Sequence, residues 1–133
     1  MTVRTGSCLC GARAYEIDGD IDGVWVCHCS LCRRASGVAS NAVLNVRRER
    51  FAWLSGADHI QVYATKSGWK NLFCKTCGCP VPHILSSGER VLVPAGALDG
   101  SPELARSGHI FVGSKAAWDV ICDGAPQFEE WPT

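Results

Sequence analysis

Cys27-His28-Cys29-Ser30-Leu31-Cys32-Arg33-Arg34 places three cysteines within six residues, directly after the apolar run Val24-Trp25-Val26. Three thiolates so closely spaced can hold a metal ion on three sides without closing a tetrahedron. A tetrahedral zinc site with three protein ligands keeps its fourth position for water or substrate, the feature that separates catalytic from structural zinc. What this stretch can do therefore depends on where the other cysteines go.

The chain carries nine cysteines in 133 residues. Nine is odd, and the steps Cys8-x-Cys10 and Cys27-x-Cys29 make loops too short for unstrained disulfides, whereas such steps suit metal chelation. Outward from the central cluster lie two further pairs, Ser7-Cys8-Leu9-Cys10-Gly11 and Phe73-Cys74-Lys75-Thr76-Cys77-Gly78. The second reads as a zinc knuckle: the two-residue step lets backbone amides point at the sulfurs, and Gly78 permits a positive φ. Together Cys8, Cys10, Cys74 and Cys77 make a complete four-thiolate set that would staple the N-terminal strand to the middle of the sheet. A closed site of this kind contributes folding energy outright. The central three are then left with an open position, unless Cys79 or Cys122 closes it. Cys79 and Cys122 remain over; Gly78 and Pro80 around Cys79 are expected to hold it extended, its sulfur pointing away from the knuckle.

Between the cysteines the sequence reads as short strands. Ala12–Ile17, Gly23–Val26, Ser40–Val46, Ile60–Tyr63, Asn71–Phe73, Arg90–Val93 and His109–Val112 are rich in β-branched or aromatic residues and bounded by Gly, Ser, Asp or Pro. Helical periodicity extends to a turn or two at Leu31–Ser36 and Ser114–Trp118. The expectation is one mostly antiparallel all-β domain over residues 1–133, with metal sites on loops at strand ends. With 47% apolar residues the chain has material for a core. Lys plus Arg and Asp plus Glu are 13 each, so no basic field exists to attract nucleic acid or an anionic membrane. No apolar stretch approaches the roughly 20 residues that span a bilayer, and Met1–Gly6 has no apolar signal core. A cytoplasmic protein is expected.

Several motifs in this order resemble one family. Gly6-Ser7-Cys8-Leu9-Cys10-Gly11, Cys27-His28-Cys29-Ser30-Leu31-Cys32-Arg33 with Gly37 behind it, Phe73-Cys74-Lys75-Thr76-Cys77-Gly78, Gly96-Ala97-Leu98-Asp99, and His109-Ile110 through Lys115-Ala116-Ala117-Trp118 resemble the glutathione-dependent formaldehyde-activating enzymes, a family that includes centromere protein V. The resemblance implies a β-tent fold of stacked antiparallel sheets. It implies two zinc ions per chain: a structural one on Cys8, Cys10, Cys74 and Cys77, and a catalytic, more weakly held one on Cys27, Cys29 and Cys32. It also implies a carbon–sulfur lyase or synthase acting on thiol–aldehyde adducts such as S-hydroxymethylglutathione, with glutathione the favoured thiol and formaldehyde the aldehyde.

The chemistry of the residues agrees. A free cysteine thiol, with a pKa of about 8.5, is a poor nucleophile, and coordination to a metal deprotonates it. Three thiolates also blunt the Lewis acidity that brings water on a three-histidine zinc to a pKa of about 7, so thiol chemistry is more natural here than hydrolysis. Arg33 and Arg34 are candidates for a substrate carboxylate through bidentate hydrogen bonds. His28, between two ligands, should point away from them and hydrogen-bond elsewhere. Ser67 and Lys70 are candidates for the cleft; Asp99 reads as a turn residue with Gly100; Trp25, Trp53 and Trp118 read as packing residues. Two other readings compete. A non-catalytic zinc-stabilised binding module is the alternative suggested by the centromere-protein relatives. A methionine sulfoxide reductase-like redox enzyme is disfavoured, because Asp119 and Asp123 around Cys122 should raise its pKa.

Overall fold

Tyr15 and Ile17, Leu44 and Val46, and Val91 and Val93 are each two residues apart and each buried. That period-two pattern lays one face of three strands against a common core. The computed structural model describes residues 2–133. Its strands are β1 (Val3–Ser7), β2 (Ala14–Asp18), β3 (Val24–Cys27), β4 (Asn41–Arg47), β5 (Phe51–Ser55), β6 (Ile60–Ala64), β7 (Lys70–Cys74), β8 (His83–Ile84), β9 (Arg90–Pro94) and β10 (Arg106–Ile110), with one α-helix, α1 (Ser30–Ser36). They form a three-stranded sheet in the order β1-β2-β5, a five-stranded sheet in the order β10-β3-β4-β9-β8, and the hairpin β6-β7. Among the described residues, the pairings between these strands are antiparallel except that of β10 with β3. The chain is all-β, as its short apolar runs predict.

The core fills the space between the first two sheets: Phe51 from β5 and Leu98 join the six residues named above. Tyr15, Phe51 and Trp53 stack edge-on or tilted with ring centroids 5.3–5.9 Å apart, a geometry that aromatic quadrupoles favour. Gly6 sits opposite Tyr15 in the ladder. A Cβ there would lie 2.6 Å from the Tyr15 hydroxyl oxygen, so the strand needs a residue without a side chain at that point. A smaller cluster of Cys8, Cys74 and Val81, flanked by Trp53, Ile60 and Leu72, ties the β6-β7 hairpin to the first sheet.

The other face of the five-stranded sheet is also covered. Val43 and Asn45 on β4, and Leu92 and Pro94 on β9, alternate with the core residues and line a cavity on the far side. The helical turns expected at Ser114–Trp118 are displaced: a 3-10 turn occupies Val112–Ser114, entered through a left-handed Phe111 (φ 55°) and left through an extended Lys115. Residues 126–130 then run beside β10, where His109 and Phe111 donate backbone hydrogen bonds to Pro126 and Glu130. Among the described residues no helix is long and apolar enough to cross a membrane.

Candidate metal centres and the adjoining cavity

Cys8 and Cys10 lie in the loop that turns β1 into β2. The Cys8 amide donates to the Arg13 carbonyl at 3.0 Å, and the Gly11 amide to the Cys8 carbonyl at 3.0 Å. Cys74 ends β7, and the chain reverses behind it through Gly78 (φ 75°), whose amide donates to the Cys74 carbonyl at 2.9 Å. These two turns bring all four sulfurs within 4.8 Å of one another. Cys8 Sγ lies 3.6 Å from Cys10 Sγ, which lies 3.8 Å from Cys74 Sγ. A tetrahedral ion with metal–sulfur bonds of about 2.3 Å separates its ligands by about 3.8 Å, whereas a disulfide needs about 2.05 Å. The four thiols have the spacing of a tetrahedral thiolate site.

The surroundings of Cys74 and Cys77 favour thiolates, whereas the Cys10 thiol, despite a hydrogen bond from the Ala12 amide, is pushed up to about 11 by its contact with Cys8 and by burial. The Thr76 and Cys77 amides donate to Cys74 Sγ at 3.3 and 3.5 Å, and the Arg13 amide donates to Cys8 Sγ at 3.4 Å. The Arg13 guanidinium is itself buried and donates to Cys74 Sγ at 3.1 Å. Burial pushes the Cys74 thiol up, but Arg13 and the two amides outweigh it and bring its pKa down to about 5. Four thiolates around a divalent cation leave two negative charges, one of which Arg13 offsets. The sequence reading had no role for Arg13; an arginine three residues beyond a C-x-C pair was the available signal.

The second cluster sits where β3 meets α1. Cys27 ends the strand; Cys29 is the helix N-cap, its sulfur accepting from the Cys32 amide at 3.3 Å; Cys32 lies in the first turn. Their three sulfurs also converge within 4.8 Å. Hydrogen bonding from Cys32 and from the Cys29 amide brings the Cys27 thiol down to about 6 against the upward push of burial, while the proton-sharing Cys32 is pushed up. The helix stops at Gly37, left-handed at φ 74°, whose amide donates to the Arg33 carbonyl. Neither cluster includes Cys79 or Cys122. Cys79 Sγ is directed to the Pro80 carbonyl at 3.4 Å and the exposed Cys122 to that of Val120.

His28 turns away from its cysteine neighbours. It is 2% exposed, and its Nε2 lies 2.9 Å from Nδ1 of the equally buried His109. His109 Nε2 in turn meets the Asp123 carboxylate at 3.0 and 3.1 Å. The hydrogen bond from His109, with the Ala125 amide, holds the Asp123 carboxyl below its ordinary range. An ionised Asp123 makes His109 Nε2 the donor of that hydrogen bond. Asp119 lies 3.9 Å from His28 Nδ1, but burial lowers the His28 pKa and keeps the ring neutral, so this is no ion pair. The parallel pairing of β10 with β3 places His109 beside Val26. An antiparallel expectation could not have found that contact.

A cavity of about 610 Å³ opens beside the second cluster, with Cys27 and Cys32 in its wall. The β6-β7 hairpin roofs it through Trp69, Lys70 and Leu72, and the sheet floors it. Lys70 reaches it, as expected of a cleft residue; Ser67 does not, and is bonded to Thr65 at 2.8 Å. Arg33 and Arg34, the expected carboxylate contacts, are not in its wall: the helix turns Arg33 into a half-buried position and Arg34 to solvent. Of the tryptophans, Trp53 packs in the core, Trp25 lines the cavity instead, and Trp118 is exposed. Asp99 accepts from the Thr5 hydroxyl at 2.7 Å beside the turn at Gly100.

The comparison with curated proteins gives no match. Among solved structures, that of a Rhodobacter sphaeroides protein, a Northeast Structural Genomics target, is similar: 28% identity, 72% of this chain and 88% of that one covered, and a TM-score of 0.58. The family model for glutathione-dependent formaldehyde-activating enzymes matches residues 3–114, which takes in both cysteine clusters and the strands that carry them. The chain belongs to the glutathione-dependent formaldehyde-activating enzyme family.

Proposed function

We propose that this chain is a zinc-dependent carbon–sulfur lyase and synthase that makes and breaks thiol–aldehyde adducts of the S-hydroxymethylglutathione type. The observation that carries this reading is the pairing of one complete four-thiolate cluster with one three-thiolate cluster that borders a cavity. Cys8, Cys10, Cys74 and Cys77 would hold a structural zinc; Cys27, Cys29 and Cys32 would hold the catalytic one. Zinc held by Cys27, Cys29 and Cys32 would supply the positive charge that lowers the pKa of a substrate thiol. The rest falls to the chain's own residues. The β3 ladder fixes Cys27, and the N-cap contact fixes Cys29. His28, held by His109 and Asp123, is kept out of the ligand set. The wall beside Cys27 and Cys32 is largely apolar, with Trp25, Trp69, Leu72 and Leu92 in it. In the forward direction a carbon–sulfur bond forms and the thiol proton ends on the former carbonyl oxygen, with no change in oxidation state.

Exchange spectroscopy on the zinc-loaded protein tests this, with formaldehyde and a panel of thiols that includes glutathione. Wild type is expected to accelerate exchange between adduct and free components, and Cys29→Ser to return it to the uncatalysed rate. No acceleration with any thiol would favour a zinc-stabilised binding module.

A further inference from the structure

The cavity wall carries a charge pattern that selects among thiols. Apart from Cys27 and Cys32, most of it is apolar: Trp25, Trp69 and Trp131 stand around it, with Leu72, Leu92 and Ile110 between them. Its polar contributions are the amides of Asn41, Asn45 and Asn71, the His83 ring and Lys70. Among the described residues the wall holds no Asp or Glu, and Lys70 is its one permanent cation. His83 adds no second charge, because burial and then the neighbouring Lys70 lower its pKa. Arg33 and Arg34 are outside the wall.

Glutathione carries two carboxylates and an ammonium besides its thiol. In this cavity one carboxylate could pair with Lys70, while the second carboxylate and the ammonium would exchange water for neutral amides and an imidazole, with no opposite charge to pair with, a costly exchange. An aryl or branched alkyl body would instead cover the three indoles and the leucines and gain by their burial.

Resting on the carbon–sulfur reading above, we infer that the adduct taken by this site has an apolar, aromatic-sized body with at most one carboxylate, received by Lys70, and that the tripeptide of glutathione is disfavoured. In the cleavage direction the carbon–sulfur bond breaks with its electron pair on sulfur, the hydroxyl proton passes to sulfur, and the carbonyl is released. Trp69 and Lys70, consecutive on the roof, then set specificity: one stacks, the other takes the carboxylate.

Probes without a free thiol test the cavity separately from the metal chemistry. Binding of 3-phenylpropanoate, 3-phenylpropan-1-ol and S-methylglutathione to the zinc-loaded full chain is measured by calorimetry and by the indole N–H signals of Trp25, Trp69 and Trp131. The phenylpropanoate is expected to shift those indoles and to bind at least about tenfold more tightly than S-methylglutathione. Lys70→Met should reduce its affinity to that of the uncharged alcohol measured on the same variant. S-methylglutathione binding as tightly or more tightly, or aromatic probes leaving the three indoles unmoved, would overturn the inference while leaving the carbon–sulfur chemistry standing. Probe binding as expected in a protein that accelerates exchange with no thiol would support the cavity assignment and overturn the chemistry.

Discussion

Single side chains decide the chemistry at three places. Arg13 is a buried guanidinium facing a thiolate, a pairing that nothing in the cysteine spacing announces because its partner, Cys74, is 61 residues away. His109 and Asp123 were equally hidden: each is an ordinary residue in sequence, and only the β3–β10 pairing makes them the support of His28. The grouping of the cysteines into two clusters, by contrast, was legible from spacing, since C-x-C and C-x-x-C steps restrict where sulfurs can go. His83 offers the most direct residue-level check. Its pKa lies below the ordinary value of about 6.5 through burial and the charge of Lys70. The unfolded chain therefore takes up this proton first as pH falls. The contribution of the neutral ring to stability is complete above about 6.5 and is lost as pH drops below it. In an NMR titration the His83 midpoint should fall below that value and move upward in Lys70→Met; a midpoint unaffected by the substitution would contradict the placement of Lys70.

Elements were legible where they alternate. The seven expected strands are all present, with ends displaced by at most three residues, because their apolar residues recur with period two or fill both faces. β1, β5 and the two-residue β8 were not foreseen. β1 reads Val-Arg-Thr-Gly-Ser and is held by its ladder to β2 and by the close fit of Gly6 on Tyr15, neither of which leaves an apolar pattern. β5 follows directly on an arginine-rich 3-10 turn that masks its start. The His109–Val112 strand ends early, at Ile110, where Phe111 turns left-handed and packs its ring on Trp131 at 4.9 Å. The two cysteine-bearing turns differ in what they support, and that difference is testable. Cys8 and Cys74 belong to an apolar cluster that joins a sheet to the β6-β7 hairpin, whereas the second cluster rests on one strand end and a seven-residue helix. Structural zinc in small peptides is worth on the order of 10 kcal/mol or more. Cys77→Ser should therefore abolish cooperative melting, while Cys29→Ser should lose one zinc and keep a native melt. Equal damage from the two would contradict the division into structural and catalytic sites.

At the scale of the whole molecule, one five-stranded sheet does two jobs by alternation. Leu44, Val46, Val91 and Val93 face the core, and Val43, Asn45, Leu92 and Pro94 face the cavity. A strand such as Arg90–Pro94, apolar on both faces, signals cover on both sides. What covers the second face is the β6-β7 hairpin, and the same hairpin carries Cys74 of the first cluster and, on its other end, the Trp69–Leu72 roof beside Cys27 and Cys32. Cys8, Cys10, Cys74 and Cys77 thus sit at one end of the element that closes the cavity, and a metal held there would add folding energy at the end opposite the wall of the other site. The claim on which the rest depends is that Cys27, Cys29 and Cys32 form an open centre that takes a substrate sulfur. Zinc-edge anomalous scattering from crystals of the zinc-loaded protein grown with 2-phenylethanethiol, and separately with glutathione, tests it directly. The account predicts two zinc peaks, one enclosed by Cys8, Cys10, Cys74 and Cys77, the other about 2.3 Å from Cys27, Cys29 and Cys32 with a thiol sulfur from the cavity as its fourth ligand. A fourth ligand from the protein at that second peak, or no zinc there at all, would contradict it.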